Sequence, residues 1–207
     1  MLSMPPPFEI RRLINPAYET MVHDPQHALA PAYRQAIYQG ITNFPNPHAS
    51  LARKWLAVLA AEHVVPIWQQ VWPNDSLALC MLDLANTALR EVSDPAGIRA
   101  EAELAMEQLE RLGDKLYRFT ELDAFFAKTA SVQAVFEVLG ISPFDRLILA
   151  EDATDEHLDP SASDTAKWAA YAYAGRLRDP NADPAKRRAF WAWWLSEGIS
   201  SAWERSK

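Results

Sequence analysis

The sequence predicts an all-α protein, a single-domain bundle of seven to eight helices. Apolar residues recur at helical spacing through most of the chain, and no stretch of useful length alternates between apolar and polar residues as a strand would. The 6 glycines lie mostly where helices should end. A chain of 207 residues can bury one substantial core without a metal or disulfide, so we expect one domain over residues 1–207.

The helices are predicted in order from their caps. Residues 1–23 begin with prolines and predict an N-terminal arm, extended or in short turns. Asp24-Pro25 predicts the start of a helix that ends at Gly40. The next helix opens after Asn46-Pro47, and Pro66 should kink or break it because proline lacks the N–H that the helix needs.

The middle of the chain predicts three helices, one of which should lie at the centre of the bundle. Leu77–Leu89 is apolar nearly all round, which is typical of a helix at the centre of a bundle. Asp94-Pro95 begins an amphipathic helix expected at the surface, and another helix starts after Thr120 and ends at Gly140. The single cysteine, Cys80, excludes an internal disulfide framework and is expected to be a buried apolar residue.

Residues 151–164 differ from the rest of the chain and predict an acidic loop. This segment has 6 acidic side chains and no lysine or arginine, and it supplies most of the net charge of −7. Helices are expected again over Asp164–Gly175 and Asp183–Arg205. The acidic balance argues against nonspecific binding to nucleic acid or to an anionic membrane. No segment reads as a signal peptide or a membrane span, so the cytoplasm is the expected location.

Candidate sites each have a structural alternative. The acidic loop is either a solvated loop, a partner-binding patch, or a magnesium motif like that of all-α isoprenoid synthases. The pair His23-Asp24, with His27, is either a helix start or a metal dyad. His63 lies on an apolar stripe and is either a packed imidazole or a general base. Trp193 points away from Trp191 on a helix and is either core or an exposed anchor.

No motif for a catalytic nucleophile, a phosphate-binding loop or a zinc-binding helix is present. We therefore assign no catalytic, cofactor-binding or metal-binding residues. The predicted partner-binding residues are Glu151, Asp152, Asp155, Glu156, Asp159 and Trp193.

One stretch resembles a known family. From Ala61 to Asp75 the chain reads A-E-H-V-V-P-I-W-Q-Q-V-W-P-N-D, followed by an aliphatic helix. It resembles the all-α immunity proteins of bacterial polymorphic toxin systems, the fifth numbered immunity family. The alanine-rich Lys167–Ala174 is similar to later helices of that family. The matching positions are Ala61, Glu62, Val65, Pro66, Trp68, Pro73, Asp75, Met81 and Leu82.

The resemblance implies a protein that binds and neutralises a cognate protein toxin without catalysis or a cofactor. Two alternatives remain open at this point. One is a structural or regulatory helical protein that forms a homodimer through its tryptophan-rich C-terminus. The other is an all-α, magnesium-dependent enzyme that uses His63 or the acidic residues.

Overall fold

The computed structural model describes residues 6–90, 94–113, 119–150 and 152–207. The all-α prediction is confirmed, because these residues form helices and no strand. A π-helical turn, Trp194–Gly198, joins the last two α-helices without a break, so the described residues form eight helical stretches, within the predicted number. The α-helices are α1 (Phe8–His23), α2 (Pro31–Thr42), α3 (Ala49–Val71), α4 (Leu77–Arg90), α5 (Pro95–Gly113), α6 (Phe119–Val138), α7 (Thr165–Ala174), α8 (Pro184–Trp193) and α9 (Ile199–Arg205).

Contacts between Cα atoms divide the chain into two compact units. The predicted domain boundaries, one domain over residues 1–207, stay a prediction. The helix α3 contributes its first two turns to the first unit and the remainder to the second. The first unit comprises Met1–Leu56, Pro143–Ser163 and Arg176–Lys207, and the second comprises Ala57–Ser142 and Asp164–Gly175.

The extended arm predicted for residues 1–23 is wrong for residues 8–23, which form α1. Its buried face carries Ile10, Ala17 and Met21, which are spaced for one side of a helix. Burial of this stripe stabilises a helix even though the preceding residues are rich in proline. Prolines before residue 8 therefore do not prevent the helix that follows them.

The predicted start of α2 is also wrong, since the helix begins at Pro31 and not after Asp24-Pro25. The Asp24 carboxylate instead accepts hydrogen bonds from the backbone N–H groups of Gln26 (2.8 Å) and Ala28 (3.0 Å). An aspartate that satisfies backbone donors in this way holds a turn as readily as it caps a helix. Proline occupies the first helical position at the true start, where its missing N–H is no loss.

Two residues predicted to interrupt helices lie inside them. Gly40 lies within α2, where an added Cβ would overlap the terminal Cδ1 methyl of Leu13 of α1, so the glycine leaves space for this side chain. Pro66 lies on the exposed side of α3, while Val64 and Trp68 on either side of it are buried. Packing on the buried side therefore keeps the helix continuous past the missing hydrogen bond.

The central helix of the second unit is α6, and the prediction that the Leu77–Leu89 helix is central is wrong. In α4 the side chains of Leu79 and Cys80 are exposed, so the expected burial of Cys80 is wrong as well. By contrast, α6 is buried on nearly all sides and packs against α4, α5 and α7. The buried apolar residues of α6 are Ala124, Phe126, Ala127, Ala130, Val132, Ala134, Val135 and Val138.

Several predicted helix ends are confirmed. The Asp94 and Asp183 carboxylates accept backbone hydrogen bonds at the starts of α5 and α8. Gly140 follows α6 with a φ of 73°, the left-handed conformation that ends a helix. Between α6 and α7 lie the 3₁₀ turn Pro143–Arg146 and the acidic segment (residues 152–163), which contains two further 3₁₀ turns.

Candidate partner-binding site

The predicted contact residues of the acidic segment differ in exposure. Asp152 and Asp159 are exposed, Glu156 is half-buried and Asp155 is buried. Glu151 lies outside the described residues. Asp155 is therefore enclosed by the protein, and the assignment of these residues to partner contact stays a prediction.

Asp155 forms a buried ion pair with Arg34 of α2, and the Arg34 side chain is fully enclosed. The distances are 2.5 Å from Nη2 to Oδ1 and 3.1 Å from Nη1 to Oδ2, which is a bidentate geometry. Nη1 also donates to the backbone carbonyl of Leu29 at 2.6 Å. A charge removed from water must be paired and hydrogen-bonded. The Asp155 carboxylate is therefore committed to holding the acidic segment on α2.

Aromatic rings surround the Arg34 guanidinium. Its central carbon lies 5.5 Å from the ring centroid of Phe144 and 5.4 Å from that of Trp191. Electron-rich ring faces at this distance attract a cation, and more strongly where water is excluded. Phe144 and Trp191 are themselves buried. The ion pair and the rings together fix three parts of the first unit, which are α2, the acidic segment and α8.

Two further buried side chains fix the chain just before the acidic segment. Gln35, next to Arg34 in α2, donates from Nε2 to the carbonyls of Phe144 and Leu147, both at 2.9 Å. Arg53 of α3 donates from Nη2 to Asp145 Oδ1 at 3.2 Å. The neighbouring residues Arg34 and Gln35 therefore tie down both ends of the stretch that follows Leu147 and precedes Asp155.

A second arginine, Arg187 of α8, joins two loops of the first unit and is only 1% exposed. Its Nη1 donates to the carbonyl of Gln26 at 2.9 Å, and its Nη2 donates to the carbonyl of Arg176 at 3.3 Å. The Arg176 side chain in turn lies 3.4 Å from Glu156 Oε2. The acidic segment is thus held from this side as well.

A cavity of about 190 Å³ lies between the turn after α1 and the acidic segment. It combines carboxylates with apolar walls, a composition that suits the aliphatic stem and the cationic head of a lysine or arginine side chain. The lining residues are Thr20, Asp24, Ala28, Leu29, Ala30, Pro31, Asp152, Ala153, Thr154, Asp155 and Leu177.

Trp193 is half-buried, with its ring centroid 5.7 Å from that of Phe190. The neighbouring tryptophans belong to the core of the first unit, since Trp191, Trp194 and Trp203 are buried. A partner could reach only part of the Trp193 ring. Its assignment as an anchor stays a prediction.

The three histidines considered as candidate site residues pack or bond locally. His23 Nδ1 lies 2.7 Å from the carbonyl oxygen of Glu19, and His27 likewise faces a backbone carbonyl. His63 is half-buried and its ring centroid lies 5.4 Å from that of Tyr173. In the described part of the chain, no group of three or more His, Cys, Asp or Glu side chains could hold a metal ion.

The motif that carries the family resemblance is a structural element of the second unit. The Asp75 carboxylate accepts from Lys128 Nζ at 3.1 Å, and its backbone carbonyl accepts from Trp68 Nε1 at 3.1 Å. The Lys128 ammonium also lies 4.2 Å from the Trp68 ring centroid. Trp68 and Asp75 therefore bond to each other, and Lys128 of α6 contacts both of them.

Sequence reasoning missed Arg34, Gln35 and Arg53. A signal for Arg34 does exist, because it occupies a position of α2 that is spaced for the core together with Tyr38 and Ile41. A charged residue on an apolar stripe predicts a buried partner of opposite charge. The partner itself could not be identified, since it lies 121 residues further along the chain.

The fold is that of a helical protein. Its acidic segment is held in place by buried arginines, so the protein presents a preformed surface there. The family profile described as "Immunity protein Imm5" matches residues 14–201, and the chain belongs to this family. No curated protein matches the chain. Of the helices in the described part of the chain, none has the length and apolar character needed to cross a membrane.

Proposed function

We propose that this protein binds a cognate toxin domain stoichiometrically and blocks it without catalysing a reaction. The observation that carries the proposal is the family match over residues 14–201. The toxin belongs to a bacterial polymorphic toxin system, and neutralisation takes place in the cytoplasm of the producing cell. An inhibitor that acts by binding gains affinity when its contact surface is ordered before association, because less conformational entropy is then lost on binding.

The acidic segment is the proposed docking surface. Asp152 and Asp159, which are exposed, make direct contacts, and Glu151, Glu156 and Trp193 are included as further contacts on the basis of the sequence. Asp155 acts from inside by holding the segment on α2 through Arg34. An acidic surface steers a basic partner toward it and accelerates association.

The test is titration of a candidate toxin domain, sought first among the products of the genes that neighbour the gene for this protein. We expect toxin activity to fall linearly with added protein and to reach its minimum at one equivalent, together with a stable complex in size-exclusion chromatography. Co-expression should protect cells from the toxin. Inhibition by far less than one equivalent would indicate a catalytic mechanism, and absence of both complex and protection would refute the proposal.

The two alternative functions have weaker support. Homodimerisation through the C-terminal tryptophans requires exposed rings, but Trp191 and Trp194 are buried within the first unit. A magnesium site in the acidic segment would need the Asp155 carboxylate, which is already paired with Arg34. Sedimentation of the purified protein alone checks the first alternative, and we expect a monomer.

A further inference from the structure

The cavity between the turn after α1 and the acidic segment has two walls, and one buried side chain joins them. One wall is formed by residues 28–31 and the other by residues 152–155. Arg34 donates to the Leu29 carbonyl of the first wall and is paired with the Asp155 carboxylate of the second. Because the walls are fixed to each other, little conformational freedom is lost when a partner enters the cavity.

The size and the lining of the cavity limit what it can hold. Its volume of about 190 Å³ lies below the roughly 300–1,000 Å³ of pockets that take drug-sized ligands, so it suits a single side chain. The apolar residues of the lining are Ala28, Leu29, Ala30, Pro31, Ala153 and Leu177. Such a lining favours a side chain with an aliphatic part.

The ionisable side chains that line the cavity are all carboxylates, from Asp24, Asp152 and Asp155. Asp155 is neutralised by its pair with Arg34, which leaves two negative charges. The two backbone hydrogen bonds to Asp24 both reach Oδ1, so this carboxylate is held in place while Oδ2 stays outside those bonds. The N-terminus of α2 also borders the cavity, but its partial charge of about +0.5 is smaller than the two negative charges. The lining therefore favours a cation.

Two arginines next to the lining residue Leu177 do not reverse this balance. Neither Arg176 nor Arg178 lines the cavity, and both are exposed to water. Arg176 is also paired with Glu156, 3.4 Å away. Water and salt screen an exposed charge more strongly than a half-buried one such as that of Asp24. An apolar cavity with an excess of negative charge complements a side chain that has an aliphatic stem and a cationic head.

We propose that this cavity takes one lysine or arginine side chain of the toxin, with the stem against the apolar lining and the cationic head next to the Asp24 and Asp152 carboxylates. This inference rests on the proposed function and adds the chemistry of one contact. The exposed Asp152 attracts the approaching cation, whereas the half-buried Asp24 holds it once it is bound. Arg34 is a positioning residue, because it joins the walls and does not touch the partner.

The first test compares Asp24→Asn with the matched control Asp94→Asn, which lies outside the cavity lining. Both aspartates accept backbone hydrogen bonds, and asparagine keeps an oxygen that can accept them, so both variants should fold. Binding to an inactivated form of the candidate toxin domain is measured by biolayer interferometry. We expect Asp24→Asn to raise Kd about tenfold or more, mainly through faster dissociation, and Asp94→Asn to leave Kd unchanged.

The second test fills the cavity without changing a charge. Ala28 is part of the lining, and Ala185 lies at an exposed position of α8. We expect Ala28→Leu to raise Kd about tenfold or more, because the added atoms occupy the space that the toxin side chain needs, and Ala185→Leu to leave Kd unchanged. Thermal unfolding of each variant checks that the fold is retained.

A double-mutant cycle then identifies the side chain that enters the cavity. The lysines and arginines of the toxin domain are replaced by methionine one at a time. We expect one replacement to weaken binding to the wild-type protein about tenfold and to have little effect on binding to Asp24→Asn. Unchanged affinity in Asp24→Asn or in Ala28→Leu, while the wild-type complex forms, overturns this contact but leaves the proposed function intact. If the wild-type protein forms no complex, the proposed function fails, and this contact fails with it.

Discussion

The two units of this protein differ in the interactions that join the segments inside each unit. In the first unit, the buried guanidinium groups of Arg34 and Arg187 join segments that are distant in sequence and partly without regular structure. In the second unit, small apolar side chains of α6 pack against α4, α5 and α7. The difference shows that a non-helical segment, which cannot bury a continuous apolar stripe, needs specific polar contacts to stay in place.

The largest effect is expected from Arg34→Met, which removes the cation from a buried pair and takes its bidentate partner from the Asp155 carboxylate. Breaking a buried pair in this way destabilises a protein by about 3–5 kcal/mol. The measurement is urea unfolding monitored by circular dichroism. The control is Arg99→Met, because Arg99 pairs with Glu103 at the surface, where the expected change is below about 1 kcal/mol. Equal effects of the two substitutions would contradict the proposed role of Arg34.

The corresponding test in the second unit is Ala130→Leu in α6, where Ala130 is fully buried. Extra methylene groups in a closely packed core should reduce the free energy of unfolding by about 1–3 kcal/mol. Ala185→Leu, at an exposed position of α8, serves as the control and should have little effect. A stable Ala130→Leu variant would mean that the core around α6 has unfilled space.

A smaller effect is expected from Lys128→Met, although Lys128 also forms an ion pair. Its partner Asp75 retains 39% side-chain exposure, so water can solvate the carboxylate once the lysine is gone. We therefore expect a loss on the order of 1 kcal/mol, several times less than for Arg34→Met. Comparing the two unfolding curves tests whether enclosure of the partner sets the size of the effect. A loss as large as that of Arg34→Met would show that it does not.

The smallest effect concerns Lys54, where burial lowers the pKa of the ammonium below its ordinary value of 10.5. Because the folded state binds this proton less tightly than the unfolded state, the unfavourable contribution is present below the lowered pKa and disappears as pH rises toward 10.5. The free energy of unfolding should therefore rise slightly over that window. Urea unfolding across the window should show a flatter dependence for Lys54→Met. An identical pH dependence would remove Lys54 as its source.

The sequence was informative about helices and less so about their ends. Asp94, Asp183 and Gly140 lie at helix boundaries for local reasons. The two aspartates accept hydrogen bonds from backbone N–H groups at helix starts, and Gly140 adopts the left-handed conformation that ends a helix. Asp24-Pro25 has the same local chemistry but holds a turn, and Pro66 lies inside a helix. In these cases packing of distant residues outweighs local preference, and a single sequence does not display that packing.

The candidate site was predicted only in part for a related reason. The acidic composition of the segment is visible in the sequence, but only the structure shows that Asp152 and Asp159 are exposed. Which carboxylate turns inward depends on Arg34, which lies more than half the chain away. The hydrogen bonds from Gln35 to the chain before this segment also act over a long distance in sequence.

The central claim is that the exposed carboxylates of the acidic segment, and not acidity in general, bring the toxin to this protein. The most direct measurement is the association rate with the inactivated toxin domain at several salt concentrations for Asp152→Lys and for Glu101→Lys. Both residues are exposed, and both substitutions change the net charge equally. We predict that Asp152→Lys slows association about fivefold at low salt and flattens its salt dependence, while Glu101→Lys has little effect. Equal association rates for the two variants would contradict the claim.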